Sequence, residues 1–261
     1  MAILHSLWRS LLGPFFWLKC GSHSAYKGRW SAGRFNGHGT VKFSNGSSHT
    51  GFFLNGSKHG FGTFNSSSGY QYSGEWLNGR QTGKAYIRYK NGDAYYGQVN
   101  NGERCGQGEL FCLSINRTYR GVWTSGRLNG ECEIVDPDWQ FAGEFNSLTQ
   151  RGKGQIIYRN GDLYNGESRN FIRCGFGELT FASGKKIIGK WIGQANVVQA
   201  KMEYGGDITV EGNITNFEPD GLTKITFSSG QTYTGQWEDG NLLRALSYKH
   251  TSGRKPNFIL I

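Results

Sequence analysis

The chain has 261 residues, with 41 Gly, 4 Pro, 17 Phe, 13 Tyr, 8 Trp and a formal net charge of +10. Glycine at about 16% is more than twice its usual share, yet the lack of a Gly-X-Y period excludes collagen and the aromatic content excludes a disordered chain. The charge is uneven: residues 1–74 carry seven Lys and Arg, five of the six His and no Asp or Glu.

At the N-terminus, Leu4, Leu7, Trp8, Leu11, Leu12, Phe15 and Phe16 recur at i, i+3, i+4, i+7 and i+8. That spacing predicts a short amphipathic helix, with His5, Ser6, Arg9 and Ser10 opposite the apolar stripe. The stripe is too interrupted for a transmembrane span and lacks the basic start of a secretory signal. Two principal roles fit. The helix either caps the open end of the first repeat or lies in a membrane interface beside the acid-free basic segment. A contact with a partner helix and a cleaved targeting peptide are further readings.

From residue 24 a repeat sets in. Tyr-x-Gly-x-Trp occurs as Tyr26-Gly28-Trp30, Tyr72-Gly74-Trp76, Tyr119-Gly121-Trp123 and Tyr233-Gly235-Trp237, with looser copies between. The ten central glycines run Gly28, Gly51, Gly74, Gly97, Gly121, Gly143, Gly166, Gly189, Gly212 and Gly235, a mean step of about 23 residues. Nine residues past most of them stands a second glycine. Thirteen past stands an apolar residue, such as Val41, Ile87 or Ile156, and fifteen past commonly an aromatic, such as Phe43, Tyr89 or Tyr158. This alternation has the period of a half-buried strand. Asn45-Gly46, Asn91-Gly92 and Asn160-Gly161 close the pattern, and are expected to form two-residue type I′ hairpin turns. Each unit is therefore expected to be two strands, with Tyr, Gly and Trp on one face and the glycine leaving room for a neighbouring unit's ring. Single hairpins cannot bury these rings, whereas a stack of hairpins can.

Y-x-G-x-W-x-x-G followed by G-x-G, as in Gly37-His-Gly39, Gly60-Phe-Gly62 and Gly106-Gln-Gly108, resembles the MORN repeat (membrane occupation and recognition nexus) over roughly residues 24–245. The eighth and ninth copies are degenerate: Val198 and Ala200 replace the glycine pair, and Ile214 stands in the Trp position; the seventh has Ser168 there. The resemblance implies a β-hairpin array acting as a scaffold or membrane tether, in cytoskeletal, ciliary or membrane-linked assemblies. The expected fold is all-β: an elongated, single-layer antiparallel meander of about ten stacked hairpins (24–245), preceded by the N-terminal helix (1–23) and followed by a tail (246–261).

Little in the chain points to catalysis. No His-Glu-x-x-His or paired-Cys motif is present, and Gly-x-Gly precedes strands rather than a helix, so it lacks a phosphate-binding dipole. Glu131, Glu133, Asp136 and Asp138 read as a solvated strand and a turn rather than a calcium site. Cys20, Cys105, Cys112, Cys132 and Cys174 form an odd set consistent with a reducing, cytoplasmic compartment. No enzyme activity, metal or cofactor is expected. One row remains: Arg34, Lys58, Arg80, Arg104, Arg127, Arg151 and Arg173 fall six to eight residues past their central glycines. In register they would form a basic ladder along one edge, suited to an acidic protein segment or anionic lipid. Protection of the sheet edge is the alternative. Nucleic acid is disfavoured, because base stacking needs rings that the array commits to its own packing. The open ends also leave room for end-to-end or side-by-side homodimers.

Overall fold

Alternation of apolar and polar residues produces strands throughout the repeats. In Ser48–Leu54, for instance, His49, Gly51 and Phe53 are buried while Thr50 and Leu54 face outward. The computed structural model describes residues 18–19 and 24–250. The expected helix bearing Leu4, Leu7, Trp8, Leu11, Leu12, Phe15 and Phe16 lies outside the described residues, as do Cys20 and residues 251–261. No helix among the described residues is long and apolar enough to cross a membrane.

The chain divides into two compact units, one ending at Asn129 and the other starting at Gly130. The first contains β1 (Leu18–Lys19), β2 (Ser24–Ser31), β3 (Arg34–Phe43), β4 (Ser48–Leu54), β5 (Ser57–Asn65), β6 (Gln71–Leu77), β7 (Arg80–Arg88), β8 (Ala94–Asn100), β9 (Glu103–Cys112) and β10 (Arg117–Thr124). Strand β11 (Arg127–Val135) carries the boundary. The second contains β12 (Trp139–Asn146), β13 (Arg151–Tyr158), β14 (Leu163–Arg169), β15 (Ile172–Thr180), β16 (Lys186–Trp191), β17 (Val197–Tyr204), β18 (Ile208–Thr215), β19 (Glu218–Phe227), β20 (Thr232–Glu238) and β21 (Asn241–Lys249). Within each unit every strand pairs antiparallel with its sequence neighbours, giving the expected all-β meander. The last strand takes in residues 246–249, which the sequence assigned to the tail.

The turns differ from expectation. At Asn45-Gly46 only the glycine has a positive φ, and the loop is closed by Gly46 N–H to Phe43 O and Phe43 N–H to Ser47 O. This is a three-residue loop with a glycine bulge, and the asparagine acts through its side chain, accepting from Ser47 N at 3.0 Å. The two-residue turns with both φ values positive occur instead between the paired strands of each unit, at Asn55-Gly56, Asn78-Gly79 and Asn101-Gly102. These turns are stapled from repeat to repeat: Gly56 N–H donates to Phe35 O, Gly79 N–H to Lys58 O and Gly102 N–H to Gln81 O. Asn-Gly at both loops made the sequence ambiguous, and the residue count between hydrogen-bonded partners decides the turn type.

The packing of the repeated tyrosine also differs. Its ring lies over its own unit's glycines, not over a neighbour's. A methyl group added to Gly108 would sit 2.2 Å from the Tyr95 Oη, and one added to Gly177 would sit 2.4 Å from the Tyr164 Oη. The phenol then donates to the carbonyl three residues on: Tyr26 to Arg29, Tyr72 to Glu75, Tyr95 to Gln98 and Tyr164 to Glu167. All four tyrosines are fully buried. The tryptophan ties its repeat to the one before it. Trp76, Trp123 and Trp191 donate their indole N–H to Gly62 O, Gly108 O and Gly177 O of the preceding repeat, at 2.9–3.1 Å. Two copies are looser: Tyr119 and Tyr233 are half-buried, and the Tyr233 ring lies tilted against Tyr248 of β21 at 4.5 Å between ring centroids.

Candidate functional site

The seven basic residues do not form one ladder. Arg34, Arg80, Arg127 and Arg151 are each the first residue of a strand and are exposed. Lys58, Arg104 and Arg173 are each the second residue of a strand, and the period of two turns their side chains onto the aromatic face. In register they stand opposite Phe53, Val99 and Ser168, the three positions where those repeats lack tryptophan.

Each inward cation then covers the tryptophan of the next repeat. Lys58 Nζ lies 4.4 Å from the Trp76 ring centroid and 4.6 Å from Phe64. The Arg104 guanidinium lies 4.4 Å from Trp123 and donates to Gly126 O at 2.7 Å. Arg173 lies 4.9 Å from Trp191 and donates to Gln194 O. Cations over ring faces are attracted by the ring quadrupole, the more so when water is excluded. Burial lowers the pKa of Lys58 and of Arg173 and raises that of Tyr72 and Tyr164; Tyr95 is pushed up to about 12.

In the first unit this gives a period of two repeats. Copies with Trp30, Trp76 and Trp123 carry the exposed Arg34, Arg80 and Arg127; the copies between them carry the inward Lys58 and Arg104. The exposed arginines therefore recur every four strands, roughly 19 Å apart at the usual strand spacing. Arg80 reaches Asn101 Oδ1 at 3.4 Å and is otherwise turned to solvent.

Shallow cavities follow the inward cations. One of about 460 Å³ is lined by Lys58, Phe64, Trp76 and Arg80, and one of about 660 Å³ by Tyr70, Tyr89, Asp93 and Arg104. In the second unit a third, of about 400 Å³, is lined by Tyr158, Arg173, Phe181 and Phe217. The opposite, polar face bears Phe61, Tyr96 and Phe176, each more than 60% exposed. Among the described residues no group of His, Cys, Asp or Glu is arranged to hold a metal ion. The thiols of Cys112, Cys132 and Cys174 are raised by burial, Cys132 to about 12, which leaves them poor nucleophiles.

Two features escaped the sequence reading. His49 occupies the tyrosine register of the second repeat, fully buried over Gly51 and Gly62, with neither ring nitrogen hydrogen-bonded within the protein. Its signal was present as a histidine two residues before a central glycine. Phe171 and Phe217 take the second place of their two-residue turns, with φ of 61° and 66°, where other repeats have glycine. The Phe171 ring packs against Trp139, Phe141 and Phe145, so a strained turn is held by an aromatic cluster.

No curated protein matches the chain. Among solved structures it is similar to the TCP10 domain of Danio rerio CPAP in complex with a peptide of STIL. The identity is 13%, covering 83% of this chain and 96% of that one, with a TM-score of 0.49. It is also similar to the SAS-4 (dCPAP) TCP domain of Drosophila melanogaster in complex with a proline-rich motif of Ana2, at 11% identity over 72% and 85% of the two chains and a TM-score of 0.26. The model of the MORN repeat matches residues 26–48, 49–69, 72–94, 95–112, 119–141 and 164–186, together half of the chain. With the Tyr-x-Gly-x-Trp copies forming successive antiparallel hairpins, the chain belongs to the MORN-repeat family.

Proposed function

We propose that this chain is a non-enzymatic scaffold that holds an acidic protein segment along one edge of its first unit. The observation that carries this is the recurrence of exposed Arg34, Arg80 and Arg127 at the same turn register in alternate repeats. A row of guanidinium groups roughly 19 Å apart suits an extended partner with carboxylates at intervals, and arginine forms the bidentate pairs such a partner needs. Staples between turns and indole locks between repeats keep the row rigid, which lowers the ordering cost of binding. A cytoplasmic setting in a cytoskeletal, ciliary or membrane-linked assembly is the location this reading assigns.

The test is quantitative capture from cells with the full chain and with an Arg34→Glu/Arg80→Glu/Arg127→Glu variant of unchanged circular dichroism. Loss of a reproducible partner in the variant, graded with salt in the wild type, supports the reading. A partner held equally by both, or no partner at all, refutes it.

One observation favours a second reading, a peripheral tether to anionic lipid. Residues 25–74 carry Lys27, Arg29, Arg34, Lys42 and Lys58 with no acid, and Phe61 is 64% exposed on the polar face. Vesicle flotation decides it: binding must depend on phosphatidylserine and fall when Arg29 and Lys42 are reversed in charge.

A further inference from the structure

The first-unit cavity of about 460 Å³ differs from its neighbours in charge. Those over Arg104 and Arg173 have aspartates in their lining, Asp93 in one and Asp138 and Asp162 in the other. This one is lined by two cations, Lys58 and Arg80, and by no carboxylate. Glu103 stands at the Arg80 register one repeat on, roughly 10 Å along the edge by strand spacing, and is not part of the lining. Lys58 Nζ has no hydrogen-bond or ion-pair partner among the described residues, and it is not sealed in but keeps contact with solvent. Burial alone lowers its pKa, and no acid acts to raise it again.

The two side-chain amides beside these cations are oriented as donors. Gln81 Oε1 accepts from the Tyr70 hydroxyl at 3.1 Å, and Asn101 Oδ1 accepts from Arg80 Nη1 at 3.4 Å. Each amide therefore has its oxygen engaged and its NH2 left for another acceptor. Backbone carbonyls of the lining are engaged as well: Lys58 O accepts from Gly79 N–H and Gln81 O from Gly102 N–H. The floor is apolar, with Trp76 only 5% exposed and Lys58 Nζ 4.4 Å from its ring centroid. An ammonium, a guanidinium and two amide NH2 groups thus share one recess without a carboxylate.

We propose that this recess takes a phosphate monoester, carried as phosphoserine or phosphothreonine on the partner segment, with the phosphate between Lys58 Nζ and Arg80 and accepting from the Gln81 and Asn101 amides. Near pH 7 such a phosphate carries close to two negative charges and three acceptor oxygens. It therefore matches two cations and four donor groups, where a carboxylate would leave one cation unbalanced. A half-buried ammonium turned onto a tryptophan face is reached by a protruding side chain, not by the flat surface of a bilayer. The inference rests on the partner reading through Arg80, and it adds Lys58, which that reading does not use.

The probe is a blocked tripeptide with phosphoserine between two glycines, titrated into the full-length protein at constant ionic strength and followed by calorimetry. Serine and glutamate versions of the same peptide are the controls. Saturable binding is expected for the phosphopeptide, about tenfold weaker binding for the glutamate peptide and none for the serine peptide. Affinity is expected to fall below about pH 6, where the phosphate loses its second charge. Lys58→Met, which keeps a flexible chain over Trp76, and Arg80→Gln are each expected to lower affinity about tenfold. Should Lys58→Met fail to fold, Arg80→Gln at its exposed position carries the test. Equal binding of the glutamate peptide, unchanged affinity in Arg80→Gln, tighter binding of inorganic phosphate or of phosphatidylinositol phosphate vesicles than of the phosphopeptide, or no saturation by about 10 mM would each overturn the proposal. A cellular partner lost from the triple arginine variant, yet held equally by Lys58→Met and after phosphatase treatment, would overturn this inference while leaving the partner reading intact.

Discussion

Replacing His49 with tyrosine isolates the one buried imidazole in the tyrosine register. Burial, and secondarily the charge of Lys58, lower its pKa from 6.5 to about 4. The ring is fully enclosed, edge-on to Phe53 at 5.3 Å and to Trp76 at 4.9 Å. In the unfolded chain the histidine takes its proton as pH falls through 6.5, while the folded protein resists until about 4. Its neutral form therefore contributes full stability above pH 6.5, and that stability is lost progressively as pH falls from 6.5 to 4. At 1.36 kcal/mol per unit, the loss is about 2 kcal/mol by pH 5 and about 3 kcal/mol below pH 4. Tyrosine carries no such linkage, and Gly51 and Gly62 leave the bed that Gly97 and Gly108 give Tyr95, so the hydroxyl can reach the Phe52 carbonyl. The assay is thermal unfolding of wild type and His49→Tyr from pH 7.5 to 4. Tm of the wild type should fall by about 4–8 °C more than that of the variant between pH 7.5 and 5. Identical slopes would refute the assignment of the acid sensitivity to His49.

Gly108→Ala should destabilise by about 1–3 kcal/mol in chemical denaturation, because the new methyl displaces the Tyr95 ring. Combining it with Tyr95→Ala should give less than the sum of the two, and strict additivity would contradict the ring-over-glycine packing. Trp76→Ala should cost about 3–5 kcal/mol, since the indole is 5% exposed, donates to Gly62 O and carries Lys58 on its face. The two kinds of basic residue should separate under charge reversal. Arg104→Glu should destabilise the fold by removing the contact with Trp123 and leaving a carboxylate among rings, whereas Arg80→Glu should stay within about 0.5 kcal/mol of wild type. Equal effects at the two positions would refute the division of the row.

The legible part of the fold is the part the sequence repeats. A 23-residue period with alternating apolar positions determines strand after strand, because the side-chain period of a strand is two and the turn residues recur between strands. The ring-over-glycine packing was not legible, because a glycine in a strand only says that something lies close. Tyr95 shows that the something is the residue two places earlier, bent along its own strand to reach the Gln98 carbonyl. The basic row misled for a related reason. Counted from the central glycine, Arg80 and Arg104 are six and seven residues on, a difference that looks like loop slack. Counted from the strand start, they are the first and second residues, and that single step moves a cation from solvent to the face of a tryptophan. The same parity explains why a cation is accepted there at all. Val99 and Ser168 are smaller than the tryptophan of other copies, and Arg104 and Arg173 enter the space that they leave. Loss of one aromatic in a repeat is thus compensated across the strand pair. The inward turn of Lys58 and Arg104 leaves Arg34, Arg80 and Arg127, in the copies that keep their tryptophan, as the exposed basic residues of this row in the first unit.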